Sequence, residues 1–578
     1  MSTTSNDPAQ LLASLLKGGQ SPSGDSAATH GAAVAAGSGA TPAFDPMSAF
    51  IAFTEQMAQM QQQFVVQMTR YWTGASGQST APPMAAKDSD KRFAAETWRN
   101  DPCFDLLRRT YLGYSEYLLG AVESVVLDEE TKAQMRYGMR QFVDAMSPSN
   151  FLVTNPEAMQ LAIETGGQSL AQGMNLFFED LAKGRVSSTD EQAYDVGSNI
   201  AATPGAVIFE NELMQLIQYA PATKTVRERP LLVVPPCINK FYILDLQPDN
   251  SIVRYIVAQG HTVFMVSWRN IGPEQAHLTW DDYLEQGVMR AIDVARGVSR
   301  ADKVNTLGFC IGGTMLASAV AVMRTRNEDP VASMTLLTTM LDFSDTGEIG
   351  ALVTEESVAA REAAIGGGGL MRGRELAFAF SSLRANDLIW QYVVNSYLKG
   401  EAPPAFDLLY WNADSTNLPG PMFCWYVRNT YLENNLRVPG KSIQCGEPVD
   451  LSLVKVPTFL YASREDHIVP WRTAYASAQL LPDTTFVLGA SGHIAGVINP
   501  ASKNKRNHWV AGAAGLDPDR WLQTARDVPG SWWPEWSNWL REQAGAEVPA
   551  PKTVGSRKHP PIEAAPGRYV KQKDSETG

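Results

Sequence analysis

Gly308-Phe309-Cys310-Ile311-Gly312, a cysteine with a glycine two positions away on either side, is the stretch of this chain with the clearest chemistry. The pattern marks a strained turn from a strand into a helix, which lifts the central side chain clear of its own backbone. Larger residues at the flanking glycine positions would collide with the packed strand or helix. The context agrees: VNTLGF (304–309) reads as a strand, and the apolar run after Cys310 reads as a buried helix. Two more reactive groups lie downstream, each just past a strand-like run. VPTFLYAS (456–463) leads into Arg464-Glu465-Asp466-His467, and TFVLGA (485–490) leads into Ser491-Gly492-His493. Taken singly, a buried thiol or a histidine after a strand is more often structural than reactive. Taken in chain order, Cys310, Asp466 and His493 are nucleophile, acid and base. Asp466 is the expected acid because a carboxylate orients an imidazole and stabilises its cation. Its neighbour His467 is left as a supporting group behind the site. His493 follows the last predicted strand, which favours it as the base.

That order of groups is the one an α/β-hydrolase fold requires. Such a site also needs donors for the oxyanion formed during acyl transfer. One is the backbone N–H after the nucleophile, here Ile311. The other comes from the loop after an early strand, here Pro235–Lys240, with the Ile238 N–H as the candidate. Cys237 in that loop reads as a small buried thiol. A cysteine nucleophile has a particular use. Its attack on a thioester exchanges one thioester for another and keeps the acyl group activated, so a hydroxyl can later accept it downhill as an oxoester. The nearby imidazole raises the thiolate fraction.

These groups need a sheet to hold them. From about residue 200 strands alternate with helical patterns: LLVVPP (231–236), TVFMVSW (262–268), VNTLGF, VASMTLLTT (331–339), VPTFLYAS and TFVLGA. Short runs rich in Val, Leu and Phe suit a mostly parallel sheet covered on both faces. More than a hundred residues separate the strand ending near 339 from the next at 456. An insertion of about 340–440, with the glycine run Gly366–Gly369 as a flexible joint and an aromatic-rich stretch after it, reads as a cap gating the site. The expected organisation is a disordered segment over 1–45, a helical N-terminal domain over 46–195, a catalytic domain over 196–545 and a tail over 546–578. Within the second region, Phe50, Phe53, Met57, Met60, Phe64 and Tyr71 form one apolar helical stripe with little charge, suited to a subunit interface or a hydrophobic surface.

A chain of 578 residues with 44% hydrophobic and 19% charged residues is globular. Its net charge of −13 argues against nucleic acid as a partner. Five cysteines, an odd number with no C-x-x-C spacing, point to reduced thiols in a cytoplasmic protein and to no metal site. The opening MSTTSNDPAQ lacks the basic start and apolar core of a signal peptide. The uncharged run Val304 to Met323 carries a glycine pair and is expected as strand plus buried helix, with no transmembrane segment.

Beyond the triad, GFCIGGT, SREDHIVPW, GASGHIAGVINP, PPCINKFYILDLQP, FMVSWRN, GSWWPEW and APGRYVK together resemble the polyhydroxyalkanoate synthases, over roughly residues 90 to 575. The phenylalanine before the cysteine and the long N-terminal region are similar to class I members. The resemblance implies polymerisation of (R)-3-hydroxyacyl-CoA, chiefly 3-hydroxybutyryl-CoA, with release of CoA and no cofactor. It implies that Cys310 carries the chain and His493 activates it, while Asp466 either orients His493 or activates the substrate hydroxyl. It further implies a homodimer bound to the polyester granule in the cytoplasm. The alternative is an α/β-hydrolase that passes the acyl group to water, a thioesterase or polyester depolymerase.

Overall fold

Apolar runs flanked by helical patterns bury themselves best between two helical layers, and the strands form in that setting. The computed structural model describes residues 90–124 and 128–573. The segment expected as disordered, 1–45, and the stripe from Phe50 to Tyr71 lie outside the described residues. In chain order the sheet comprises β1 (Gly205–Glu210), β2 (Met214–Tyr219), β3 (Leu231–Val234), β4 (Val263–Trp268), β5 (Val304–Phe309), β6 (Val331–Leu337), β7 (Thr458–Ser463), β8 (Thr484–Gly489), β9 (Asn507–Val510), β10 (Arg526–Pro529) and β11 (Glu563–Ala564). Across the sheet they run β10-β9-β8-β7-β6-β5-β3-β4-β2-β1-β11. The strands β4 to β8 around β3 are parallel, and both flanks are antiparallel. Along β4 alternate side chains divide between two cores: Phe264 and Val266 face one, Val263 and Met265 the other. This explains why β3, β4, β5 and β7 are buried along their whole length.

The expected α/β-hydrolase fold with a mostly parallel sheet is the one observed. The apolar run 304–323 divides into β5 and the buried helix Ile311–Thr325, as its glycines require. Among the described residues no helix is long and apolar enough to cross a membrane.

Three expectations change. The hairpin β1–β2 and the strands β9 and β10 extend the sheet beyond the runs named from sequence, so His493 follows the last parallel strand but not the last strand. The described part of the C-terminal segment is packed, not a loose tail. Glu547–Pro549 pairs with Thr225–Arg227, β11 pairs with β1, and Tyr569 and Val570 are buried. A Pro- and Lys-rich composition suggested a tail, but a few anchors hold the segment: the Tyr569 hydroxyl donates to Asn211 O at 2.9 Å. The glycine run, expected as a free joint, closes a tight corner. The Gly420 N–H donates to Gly369 O at 2.7 Å, and a Cβ at Gly420 would lie 1.9 Å from Ile365 O.

The insertion between β6 and β7 carries the helices Glu355–Ile365, Gly373–Ser382, Asp407–Ala413 and Gly420–Val427. The N-terminal helices are Pro102–Ser124, Glu129–Ala145, Pro156–Glu164 and Gln168–Lys183, and the first two share a small core around Phe93, Trp98, Tyr111 and Val143. They also dock on this insertion. Gln141 Nε2 donates to Ser382 O at 2.7 Å, the Tyr397 hydroxyl to Asp180 Oδ2 at 2.8 Å, and Lys399 pairs with Glu157 at 2.8 Å.

Candidate active site

Strand order sets the site. β3 pairs with β4 on one side and β5 on the other, so successive connections leave β3 in opposite directions and open a crevice at the strands' carboxyl ends. Cys310 follows β5 at that crevice with φ 54° and ψ −129°, a strained conformation for a residue with a side chain. The surroundings hold it there: its N–H donates to Leu337 O at 2.9 Å, and its carbonyl accepts from Gly313 N at 2.8 Å and Thr339 Oγ1 at 3.2 Å. The flanking glycines are required by space. A Cβ at Gly308 would lie 2.4 Å from Gly313 Cα, and one at Gly312 would lie 2.4 Å from Val234 O.

β7 and β8 are adjacent and parallel, with Ser463 opposite Gly489, so the loops after them emerge side by side. Glu465 N donates to Ser491 O at 3.0 Å and ties the two loops together. His493 Nδ1 and Asp466 Oδ2 are therefore 2.7 Å apart, in a setting where the carboxylate is fully enclosed and the imidazole nearly so. The other carboxylate oxygen accepts from Ile468 N at 2.8 Å and Val469 N at 2.9 Å. The His493 ring stacks on Phe309, next to the cysteine, at 5.6 Å between centroids and 24° between planes. Burial alone would lower the proton affinity of His493. The charge of Asp466, then that of Cys310, and hydrogen bonds to both outweigh burial and hold it above the usual histidine range. The structure brings Cys310, Asp466 and His493 together.

His467 adjoins Asp466 but has a different character. Burial pushes its pKa down to about 4, against the pull of the Asp466 charge, and its Nδ1 is enclosed without a hydrogen-bond partner among the described residues. It is a neutral imidazole beside the acid. Ile311 opens its helix, so its N–H has no acceptor within that helix. Ile238 lies in the loop after β3, and its carbonyl accepts from Thr416 N at 2.9 Å. That loop abuts the helix that starts at Ile311, since a Cβ at Gly312 would also lie 2.6 Å from Pro235 O. All five cysteines are free thiols. Burial pushes up the affinity of Cys237 for its proton, and holds Cys424 at about 11 and Cys445 at about 12.

Sequence reasoning missed an aromatic wall. Tyr426 and Tyr431 come from the insertion; burial raises the proton affinity of both phenols, and the charge of Cys310 adds to it. Tyr426 stacks on Trp280 at 5.3 Å, and Phe343 meets Tyr431 at 5.1 Å. The signal was the aromatic density of FCWYVRNTYL, which no periodicity connects to residue 310.

A family model described as poly-beta-hydroxybutyrate polymerase (PhaC) N-terminus matches residues 89–256, and one described as alpha/beta hydrolase fold matches residues 230–500. The poly(3-hydroxyalkanoate) polymerase subunit PhaC of Cupriavidus necator is 52% identical over 553 residues, covering 94% of this chain and 93% of its own. The subunit of the same name from Rhizobium meliloti is 40% identical, covering 86% of this chain and 82% of its own. Poly(3-hydroxyalkanoate) polymerase 2 of Ectopseudomonas oleovorans is 39% identical, covering 84% and 87%.

Proposed function

The chain belongs to the poly(3-hydroxyalkanoate) polymerase family, and from that premise we propose that it builds polyester through a covalent thioester on Cys310, from (R)-3-hydroxyacyl-CoA and chiefly 3-hydroxybutyryl-CoA. The observation that carries this reading is the enclosed Asp466–His493 pair beside a cysteine on a strained strand-to-helix turn. His493 takes the thiol proton, and the thiolate attacks the thioester carbonyl. The resulting oxyanion accepts from the N–H groups of Ile311 and Ile238. The carbon–sulfur bond to CoA breaks, and His493 returns its proton to the departing CoA thiolate. One thioester has replaced another, so the acyl group is still activated.

For elongation, the 3-hydroxyl of a second hydroxyacyl-CoA attacks the acyl group on Cys310. His493 accepts the hydroxyl proton, an oxoester forms and the Cys310 thiolate leaves. The lengthened acyl-CoA then acylates Cys310 again, and CoA departs with the proton held on His493. Asp466 acts in this scheme through His493. Both of its oxygens already have partners and its side chain is closed to solvent, which supports an orienting role over contact with the substrate hydroxyl. No cofactor or metal enters. The same reading has the enzyme working as a cytoplasmic homodimer on the polyester granule.

The test is product analysis. Purified enzyme given 3-hydroxybutyryl-CoA should release CoA in step with polymer, and the acyl group should be trapped on a peptide containing Cys310. Accumulation of free 3-hydroxybutyrate in place of polymer would instead identify a thioesterase or depolymerase.

A further inference from the structure

Lys240 is a lysine with 2% of its surface exposed, and nothing in the reaction above uses it. Enclosing an ammonium group is unfavourable unless its donors are satisfied. Its Nζ donates to Gln572 O at 2.7 Å; burial disfavours its proton, and the charge of Asp414 in the insertion opposes that. Lys240 ends the loop that carries Ile238. The rest of that loop is pinned from three sides. Trp268 Nε1 donates to Pro235 O at 2.9 Å, Thr416 N to Ile238 O at 2.9 Å, and Trp411 Nε1 to Lys240 O at 2.6 Å. The C-terminal run that meets the ammonium is itself fixed to the sheet edge. Arg568 pairs with Glu210 and Glu563, each at 2.7 Å, and the Tyr569 hydroxyl donates to Asn211 O.

We propose that Lys240 is a positioning residue for acylation: its ammonium clamps the 235–240 loop to the C-terminal run and so keeps the Ile238 N–H aimed at the developing oxyanion. This rests on the reading of Ile238 as an oxyanion donor. The physical case is one of preorganisation. A donor lowers the barrier only if it already stands at hydrogen-bond distance from where charge will appear, so a small displacement of the loop loses most of its effect. A methionine would fill the volume of Lys240 but could not hold a backbone carbonyl more than three hundred residues away in sequence.

Two reactions of Cys310 separate this role from general damage. Acylation by 3-hydroxybutyryl-CoA develops an oxyanion. Alkylation by iodoacetamide displaces iodide at a saturated carbon and develops none. In Lys240→Met, and in a chain ending at Lys571, which loses Gln572 but keeps the anchors at Arg568 and Tyr569, acylation should slow by about 10-fold or more while alkylation stays within about 2-fold, since losing an oxyanion donor costs about 10²–10³ in rate. Lys240→Arg should recover part of the acylation rate. The proposal is overturned if neither rate changes, or if both fall together. If Lys240→Met does not fold, the shortened chain is judged by the same criterion. Ile238→Pro removes the donor itself: unimpaired acylation there defeats the oxyanion reading. A split in Ile238→Pro without one in Lys240→Met defeats only the clamp.

Discussion

Replacing Asp466 by asparagine changes one oxygen to an NH₂ group at nearly constant volume, and the hydrogen bonds around it dictate which way the amide turns. Ile468 N and Val469 N both donate to one carboxylate oxygen, so the amide oxygen is kept on that side. Turning it over would leave those two enclosed donors facing an NH₂ group, at about 1–3 kcal/mol for each unsatisfied group. The NH₂ group therefore faces His493 Nδ1, which must then accept, and the imidazole proton moves to Nε2. In that tautomer the ring cannot take the proton of Cys310. The charge that raises the proton affinity of His493 is lost as well. By analogy with the wrong-tautomer effect in serine proteases, acylation should fall about 10³–10⁴-fold, or about 4–5.5 kcal/mol of barrier. The assay is single-turnover release of CoA from 3-hydroxybutyryl-CoA, followed with a thiol reagent. Asp466→Ala, which frees the ring without imposing the wrong tautomer, should be no slower than Asp466→Asn. An asparagine variant that acylates within about 10-fold of wild type contradicts the tautomer argument, given that general acid–base effects span about 10²–10⁴. Normal acylation with elongation alone abolished would assign Asp466 to the substrate hydroxyl.

Cys310→Ala should abolish acyl-enzyme formation and polymer while leaving the thermal transition in place, whereas Cys103, Cys237, Cys424 and Cys445 changed singly to alanine should each stay active; acyl trapping and turnover read both. Gly312→Ala puts a Cβ 2.4 Å from Val234 O and 2.6 Å from Pro235 O, so the loop after β3 must move; acylation should fall and the melting temperature should drop, by an overpacking penalty of about 1–3 kcal/mol. His261 is 1% exposed, neither ring nitrogen has a hydrogen-bond partner among the described residues, and burial pushes its pKa down to about 4. As pH falls the unfolded chain gains this proton near 6.5 and the folded chain only near 4, so stability is lost across that window; denaturant titrations of His261→Leu should show the acid loss reduced by about 3 kcal/mol. On the proposed reading of a granule-bound homodimer, changing Phe53, Met57, Met60 and Phe64 to serine should move the enzyme from the granule to the soluble fraction of polymer-making cells with its dimer intact; unchanged fractionation, or loss of the dimer, removes the stripe from granule binding.

Local chemistry left clear marks in the sequence. The strand-to-helix turn at Cys310 needs glycine at 308 and 312 because nothing larger fits, so the turn could be read from a few residues. Asp466 and His493 each follow a short apolar run, and runs of that kind form strands wherever both faces are covered. The order of Cys310, Asp466 and His493, the fold class and the strand–helix nature of residues 304–323 were therefore legible in the sequence alone. Their convergence was not. It depends on β5, β6, β7 and β8 lying side by side in one direction, which is a matter of pairing between distant segments. The same holds for the engagement of both Asp466 oxygens, for the tyrosines that the insertion brings to Cys310, and for the C-terminal run that reaches back to Lys240. Sequence periodicity reports which face of an element is buried, and nearby residues report a turn. Which distant element covers that face, and which backbone carbonyl meets a given ammonium, are decided only when the whole chain packs.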